Sequence, residues 1–248
     1  MPSLTTAQWL LAIAGAVGMG ISKAGFPGMS LVHVVVFAFI FGARASTGII
    51  LPMLLAADVL AVRAFQQHAQ WMYIRRMLPA TIVGVLVGAV LMGRLDESLF
   101  APIIGTIVLA LVVLQVVRMA HPALFADVPH SHLFAWTMGL LAGVTTMLAN
   151  AAGPIFVLYA LAVGLPKYEL VGTGAWFFFL VNLAKVPLSA ALGLIGPQTL
   201  SLNLLLLPAL FVGIALGRWL THHVPQRLFD GLLLAFAAVA ALRLIGAW

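Results

Sequence analysis

The sequence predicts an all-α integral membrane protein of two inverted repeats, each a short broken or re-entrant helical hairpin followed by three transmembrane helices. Three observations carry this prediction: a composition too apolar for a soluble domain, ten apolar segments in two sets of five, and an internal repeat at about half the chain length. Of 248 residues, 64% are hydrophobic and 7% charged, with mean hydropathy +1.17. A soluble domain carries about a quarter charged residues. The apolar runs reach or approach the ~20 residues that cross a ~30 Å hydrocarbon core as a helix, and they lack the alternation of a transmembrane barrel. The net charge of +6 comes from basic residues scattered in short connections, which sets topology and excludes a nucleic-acid patch. With no cysteine, disulfides and thiolate metal sites are excluded. Residues 1–6 carry no Lys or Arg, so a removable signal peptide is not expected.

The apolar segments run from Ala7 to Ile21, Gly28 to Gly42, Ser46 to Val62, Met77 to Gly93, Leu99 to Val117, Leu133 to Leu148, Gly153 to Val163, Leu170 to Leu194, Leu200 to Gly217 and Leu228 to Leu244. Ala14-Gly15 and Ala24-Gly25 recur 128 residues later as Ala142-Gly143 and Ala152-Gly153. Pro79, Gly84, Gly88, Leu99 and Phe100 recur as Pro208, Gly213, Gly217, Leu228 and Phe229, all at an offset of 129. Single matches between Gly and Pro in membrane helices mean little; five at one spacing define a repeat. The domain reading is therefore 1–119 for the first repeat, 120–131 for a linker and 132–248 for the second.

The first two segments of each half are short for a bilayer, so each pair is either a hairpin or one broken crossing. The hairpin reading gathers Arg63, Arg75, Arg76, Arg118, Lys167, Arg218 and Arg227 on one side, against Arg44, Arg94 and Arg243 on the other. Seven against three is the bias that the positive-inside rule expects; the single-crossing reading gives five against five. The expectation is inverted halves, both termini extracytoplasmic and the linker cytoplasmic. Two fully spanning helices per hairpin give the same parity.

Interrupted helices in inverted repeats point to a secondary transporter whose site lies near the midplane. The first break, Gly20 to Leu31, contains Ser22, Lys23, Gly25, Pro27, Gly28 and Ser30. The second, Leu148 to Ile155, contains Asn150, Gly153 and Pro154. Free backbone N–H groups at the start of the following helices attract anions. Packing is the competing reading of the glycines and prolines. Lys23 and Lys185 are cations at membrane depth, where insertion costs about 2.5 to 3.5 kcal/mol, so each needs a partner or a function; snorkelling is the alternative. Asp58 is the acidic residue well inside a span and Asn182 occupies a similar place in the second half. Asp58 reads as a proton-coupling carboxylate or as the counter-ion of Lys23, Lys185 or Arg63. Asn150, Thr173, Trp176 and Asn182 supply donors for an oxyanion or bridge helices.

The pairs His130/His132 and His222/His223 lie in connections without acidic or Cys partners, and no metal is assigned to them. His33 reads as a packed neutral imidazole and Phe177 to Phe179 as lipid-facing or core bulk. Hydrolase, metalloprotease and nucleotide-binding signatures are missing, and no cofactor is expected.

The stretches GISKAGFPG at Gly20 to Gly28, NAAGPI at Asn150 to Ile155 and GLPKYELVGTGAWFFFLVNLAKVP at Gly164 to Pro187 resemble the TauE/SafE family, also called the toluene sulfonate uptake permease family. The resemblance covers nearly the whole chain and is most specific in the last stretch. It implies a bacterial inner-membrane transporter for sulfite, sulfonates or related organosulfur anions, often associated with export. Many members carry a richer Gly-Gly run at the first break, where this chain has Lys-Ala-Gly-Phe-Pro-Gly. The leading reading is an alternating-access carrier of a small oxyanion, with protons as candidate coupling ion. Its rivals are a passive anion channel, an intramembrane enzyme, against which an isolated Asp58 argues, and a scaffold subunit. Partners are a small anion and the lipid bilayer, with no nucleic acid.

Overall fold

The computed structural model describes residues 4–23, 29–121, 131–223 and 226–246, without the side chains of 221–222 and 226–230. Among these residues the elements are helical throughout: α1 (Thr6–Lys23), α2 (Met29–Phe41), α3 (Ala43–Phe65), α4 (Trp71–Arg94), α5 (Glu97–Ala120), α6 (His132–Ala149), α7 (Gly153–Ala162), α8 (Lys167–Ala191), α9 (Pro197–His223) and α10 (Gln226–Ile245), with one 3-10 turn at Gln66–His68. Each apolar segment became one helix. Six helices, α3 to α6, α8 and α9, are long and apolar enough to cross a membrane. Large apolar side chains such as Leu204, Val212, Leu232 and Phe236 are exposed on the outside; in water so much apolar surface would aggregate, and in a bilayer it meets lipid tails.

Three expectations about boundaries need correction. Helix α4 begins at Trp71 rather than Met77, and α9 runs to His223 rather than Gly217. Arg75, Arg76 and Arg218 therefore sit on helix ends, where long basic side chains reach the headgroups without ending the helix. His222 and His223 belong to the last turn of α9 and not to a connection; the His223 ring stacks on Trp219 at 4.5 Å. Shortness is confined to the second helix of each hairpin. At ~1.5 Å per residue α2 and α7 span roughly 20 and 15 Å, whereas α1 and α6, 18 residues each, span roughly 27 Å.

The helix pairs at the breaks double back. A Cβ on Gly15 would lie 2.6 Å from the Phe37 ring, although 22 residues of continuous helix would place these two positions about 33 Å apart. Phe134 at the start of α6 likewise meets Tyr159 of α7 at 5.9 Å. Both pairs are antiparallel hairpins.

Glycines set the tightest crossings. A Cβ on Gly143 of α6 would stand 2.8 Å from the Gly84 Cα of α4, one on Gly139 2.9 Å from the Ala80 Cβ, and one on Gly88 2.7 Å from the Met147 Cβ. Small residues let backbones touch where lipid offers no hydrophobic drive for helices to associate. The contacts advance together along both chains, so α4 and α6 run parallel. Gly20 of α1 and Gly213 of α9 make the corresponding close contact, Gly213 against the Val17 backbone.

Helices α3 and α8 run antiparallel: Gly48 abuts Leu194, Asp58 meets Asn182, and Gly172 abuts the Phe65 carbonyl at the other end. Helices α5 and α10 do the same, with Gly105 against Ala241 and Leu244, while Met119 and Ala120 share a groove with Gly231 and Leu234. The α3–α8 crossing brings polar side chains into the centre.

Candidate anion site at the helical breaks

The second hairpin tip explains its own sequence. Helix α6 ends at Ala149, and Asn150 takes a left-handed conformation, φ 53° and ψ 30°, while its N–H still bonds the Thr146 carbonyl at 2.9 Å. Asn tolerates this conformation better than most residues with a side chain. Ala151 and Ala152 complete the reversal, and Pro154, buried in the first turn of α7, forgoes an N–H that has no helical partner there. At the first tip α1 ends on Lys23 and α2 starts at Met29; Gly25, Pro27 and Gly28 lie outside the described residues. Ser22 is half-buried beside Lys23.

The two tips meet. A Cβ on Gly153, the first residue of α7, would lie 3.6 Å from the Ser30 Oγ in the first turn of α2. Neither helix has an acidic residue in its first turn, so neither N-terminus has its partial positive charge offset from its own helix.

A chain of hydrogen bonds links both breaks through the α3–α8 crossing. The Lys23 ammonium donates to Asp58 Oδ1 at 2.5 Å, and the Asn182 amide donates to Asp58 Oδ2 at 2.7 Å. Asn182 Oδ1 accepts from Lys185 Nζ at 3.4 Å, and the same ammonium donates to Asn150 Oδ1 at 2.5 Å and Thr146 Oγ1 at 3.1 Å. The Asn150 amide is held by the Thr47 carbonyl of α3 at 2.9 Å. Asp58 is fully buried, Lys185 is 1% exposed, and the Lys23 side chain, 20% exposed, lies over the Phe178 ring at 5.0 Å. Both lysines also stand by helix C-termini, α1 for Lys23 and α6 for Lys185, where the dipole favours cations.

The structure thus gathers Lys23, Asp58, Asn150, Asn182 and Lys185 in one network, with Ser30, Gly153 and Pro154 at the adjoining tips. It takes Thr173 and Trp176 elsewhere. Thr173 Oγ1 accepts from the Gln70 backbone N–H at 2.9 Å, and Trp176 packs on Trp71 and Phe179, with ring centroids 5.1 and 5.9 Å away. They fasten the α3–α4 connection to α8, Thr173 about two and a half turns and Trp176 more than one and a half turns from Asn182. Between the lysines, Asp58 acts as the counter-ion of Lys23, and neither of the other candidates, Lys185 nor Arg63, holds it directly. The sequence reading missed three contributors: Thr146, the Thr47 carbonyl and Phe178, which faces Lys23 rather than only filling space. Thr146 lies one turn before Asn150 on the same face, a signal present but not distinctive. His33 Nδ1 approaches the Met29 carbonyl at 3.2 Å, and its buried Nε2 has no hydrogen-bond partner among the described residues.

The model of the sulfite exporter TauE/SafE family matches residues 10–244, a stretch that holds both breaks and every residue of the network. The chain belongs to the TauE/SafE family. It is accordingly a multi-pass membrane transporter and not an enzyme. No curated protein and no solved structure matches the chain.

Proposed function

We propose that this TauE/SafE protein is a secondary carrier of a small organosulfur oxyanion, sulfite or a sulfonate, which binds where the two hairpin tips meet. The observation that carries the reading is the network itself: two ammonium groups, one paired with a carboxylate and one held only by neutral oxygens, lie beside the starts of two helices. An oxyanion has what that arrangement lacks, a second negative charge and several acceptor oxygens. Lys23, with the partly exposed side chain, is the group that meets the anion first; Lys185 and Asn150 complete its shell.

Alternating access follows from inverted halves rocking about a fixed site. Support for inversion comes from the helix directions: α3 and α8, and α5 and α10, occupy equivalent places in the two halves and run antiparallel. The charge bias of seven to three supports both termini outside a bacterial inner membrane, and the description of the family as sulfite exporters supports export as the direction. Asp58 is the candidate for proton coupling, since a proton on its carboxylate releases Lys23.

Transport in proteoliposomes of sulfite, sulfoacetate, taurine and sulfate, comparing Lys23→Ala with the parent, tests the assignment. At least one of these solutes moves with the parent, and the substitution slows it. A chain that moves none of them, or a substitution without effect, sinks the reading. Saturation and counterflow separate the carrier from a passive anion channel.

A further inference from the structure

We propose that Asp58 sets the charge of the anion that the site accepts, so that the site as built takes a singly charged anion in preference to a doubly charged one. The proposal rests on the site reading above. Both Asp58 oxygens accept hydrogen bonds, one from the Lys23 ammonium and one from the Asn182 amide, the pattern of an ionised carboxylate. His33 adds no charge, because its Nδ1 is placed to donate to a carbonyl and its buried Nε2 has, among the described residues, no acceptor to receive a second proton's hydrogen bond. Arg63, on the same helix as Asp58, is exposed. Lys185 Nζ has an oxygen acceptor for each of the three protons of an ammonium, so two ammonium groups and one carboxylate leave the cluster one positive charge in excess.

The excess lies at Lys185. Its three acceptors, Thr146 Oγ1, Asn150 Oδ1 and Asn182 Oδ1, are neutral oxygens, although the side chain is almost wholly buried. The two halves explain why. Gly48 and Gly172 take the opposite half's connection against their backbones and are 124 residues apart; Asp58 and Asn182 are 124 apart as well. At equivalent positions one half supplies a carboxylate and the other its neutral amide. A carboxylate at both would cancel both lysines and leave nothing for an anion to neutralise. In a medium of low polarity, uncompensated charge is what costs most. A monoanion brings the cluster to neutrality, and a dianion leaves one negative charge over.

The test is titration calorimetry on the purified chain in nanodiscs, with ethanesulfonate as monoanion and sulfate as dianion at one pH and ionic strength. The parent binds ethanesulfonate at least about tenfold more tightly than sulfate, and Asp58→Asn, which raises the cluster by one charge, moves that ratio about tenfold or more toward sulfate. Lys185→Gln, which lowers the cluster by one charge, weakens both anions and moves the ratio the other way. Opposite movements are the signature of charge; a merely structural role damages both variants alike. A parent that favours sulfate, ratios that do not move, or ratios that move in the same direction overturn the proposal. If Asp58→Asn does not fold, the Lys185→Gln ratio decides alone. If the parent binds neither anion, the site reading fails and takes this inference with it; if it binds ethanesulfonate and only the ratios misbehave, the inference alone fails.

Discussion

The two membrane-depth lysines show two ways of keeping an ammonium in a bilayer. Lys23 has a carboxylate at 2.5 Å, an aromatic face and a partly exposed side chain. Lys185, far more deeply buried, has only hydroxyl and amide oxygens. An ion pair neutralises a charge, whereas neutral acceptors solvate it and leave it available. Lys23 is therefore anchored by its ion pair, while Lys185 keeps a charge that no carboxylate in direct contact neutralises. Asn182 connects them, with its amide turned to the carboxylate and its oxygen to the ammonium.

The contrast can be broken from the structural side first. Asp58→Ala removes the one carboxylate and leaves Lys23 unpaired, at an expected stability cost of about 3 to 5 kcal/mol. Asn150→Ala takes away a neutral partner and costs about 1 to 2 kcal/mol. Thermal unfolding in a fixed detergent compares them, and equal losses would erase the distinction between pairing and solvation. On the functional side Lys185→Gln keeps hydrogen-bonding capacity and loses charge. Sulfite transport is expected to fall about 100-fold, or about 2.7 kcal/mol in the barrier, with little change in thermal stability. A variant that transports normally assigns Lys185 to packing.

Smaller effects sharpen the frame around the lysines. Gly143→Val and Gly213→Val push a branched side chain into the α4–α6 and α1–α9 crossings, and each is expected to cost roughly 1 to 3 kcal/mol. Similar losses for the two glycines support equivalent roles in the two halves; a loss at one alone argues against them. Thr173→Val, which removes only the acceptor for the Gln70 N–H, should cost about 1 kcal/mol and leave anion affinity unchanged, because Thr173 lies outside the network.

Much of this was legible before any coordinates, for physical reasons that differ by residue. The ten helices follow from hydropathy alone, since a backbone in lipid must satisfy its own hydrogen bonds. Lys23, Asp58 and Lys185 stand out because charge at membrane depth is rare and costly. Their pairing was not legible: sequence left Asp58 with three possible partners, and the choice was made by the antiparallel α3–α8 crossing and the position of the α1 terminus. Thr173 and Trp176 were drawn into the site as hydrogen-bond donors, although at ~1.5 Å per residue nine positions separate Thr173 from Asn182 by roughly 14 Å. Thr146 went unnoticed because a hydroxyl in a membrane helix most often bonds its own backbone, as Thr145 does with Leu141. The start of α4 and the end of α9 were misplaced because arginines were counted as connections.

The central claim is that an anion is held jointly by Lys23 and Lys185 where the hairpin tips meet. Calorimetric binding of sulfite to the purified protein tests it, with the parent beside Lys23→Ala, Lys185→Gln and the double substitution. The account predicts saturable binding to the parent, weaker binding to each single variant and none to the folded double variant. Undiminished binding to the double variant would contradict it and place the anion elsewhere in the molecule.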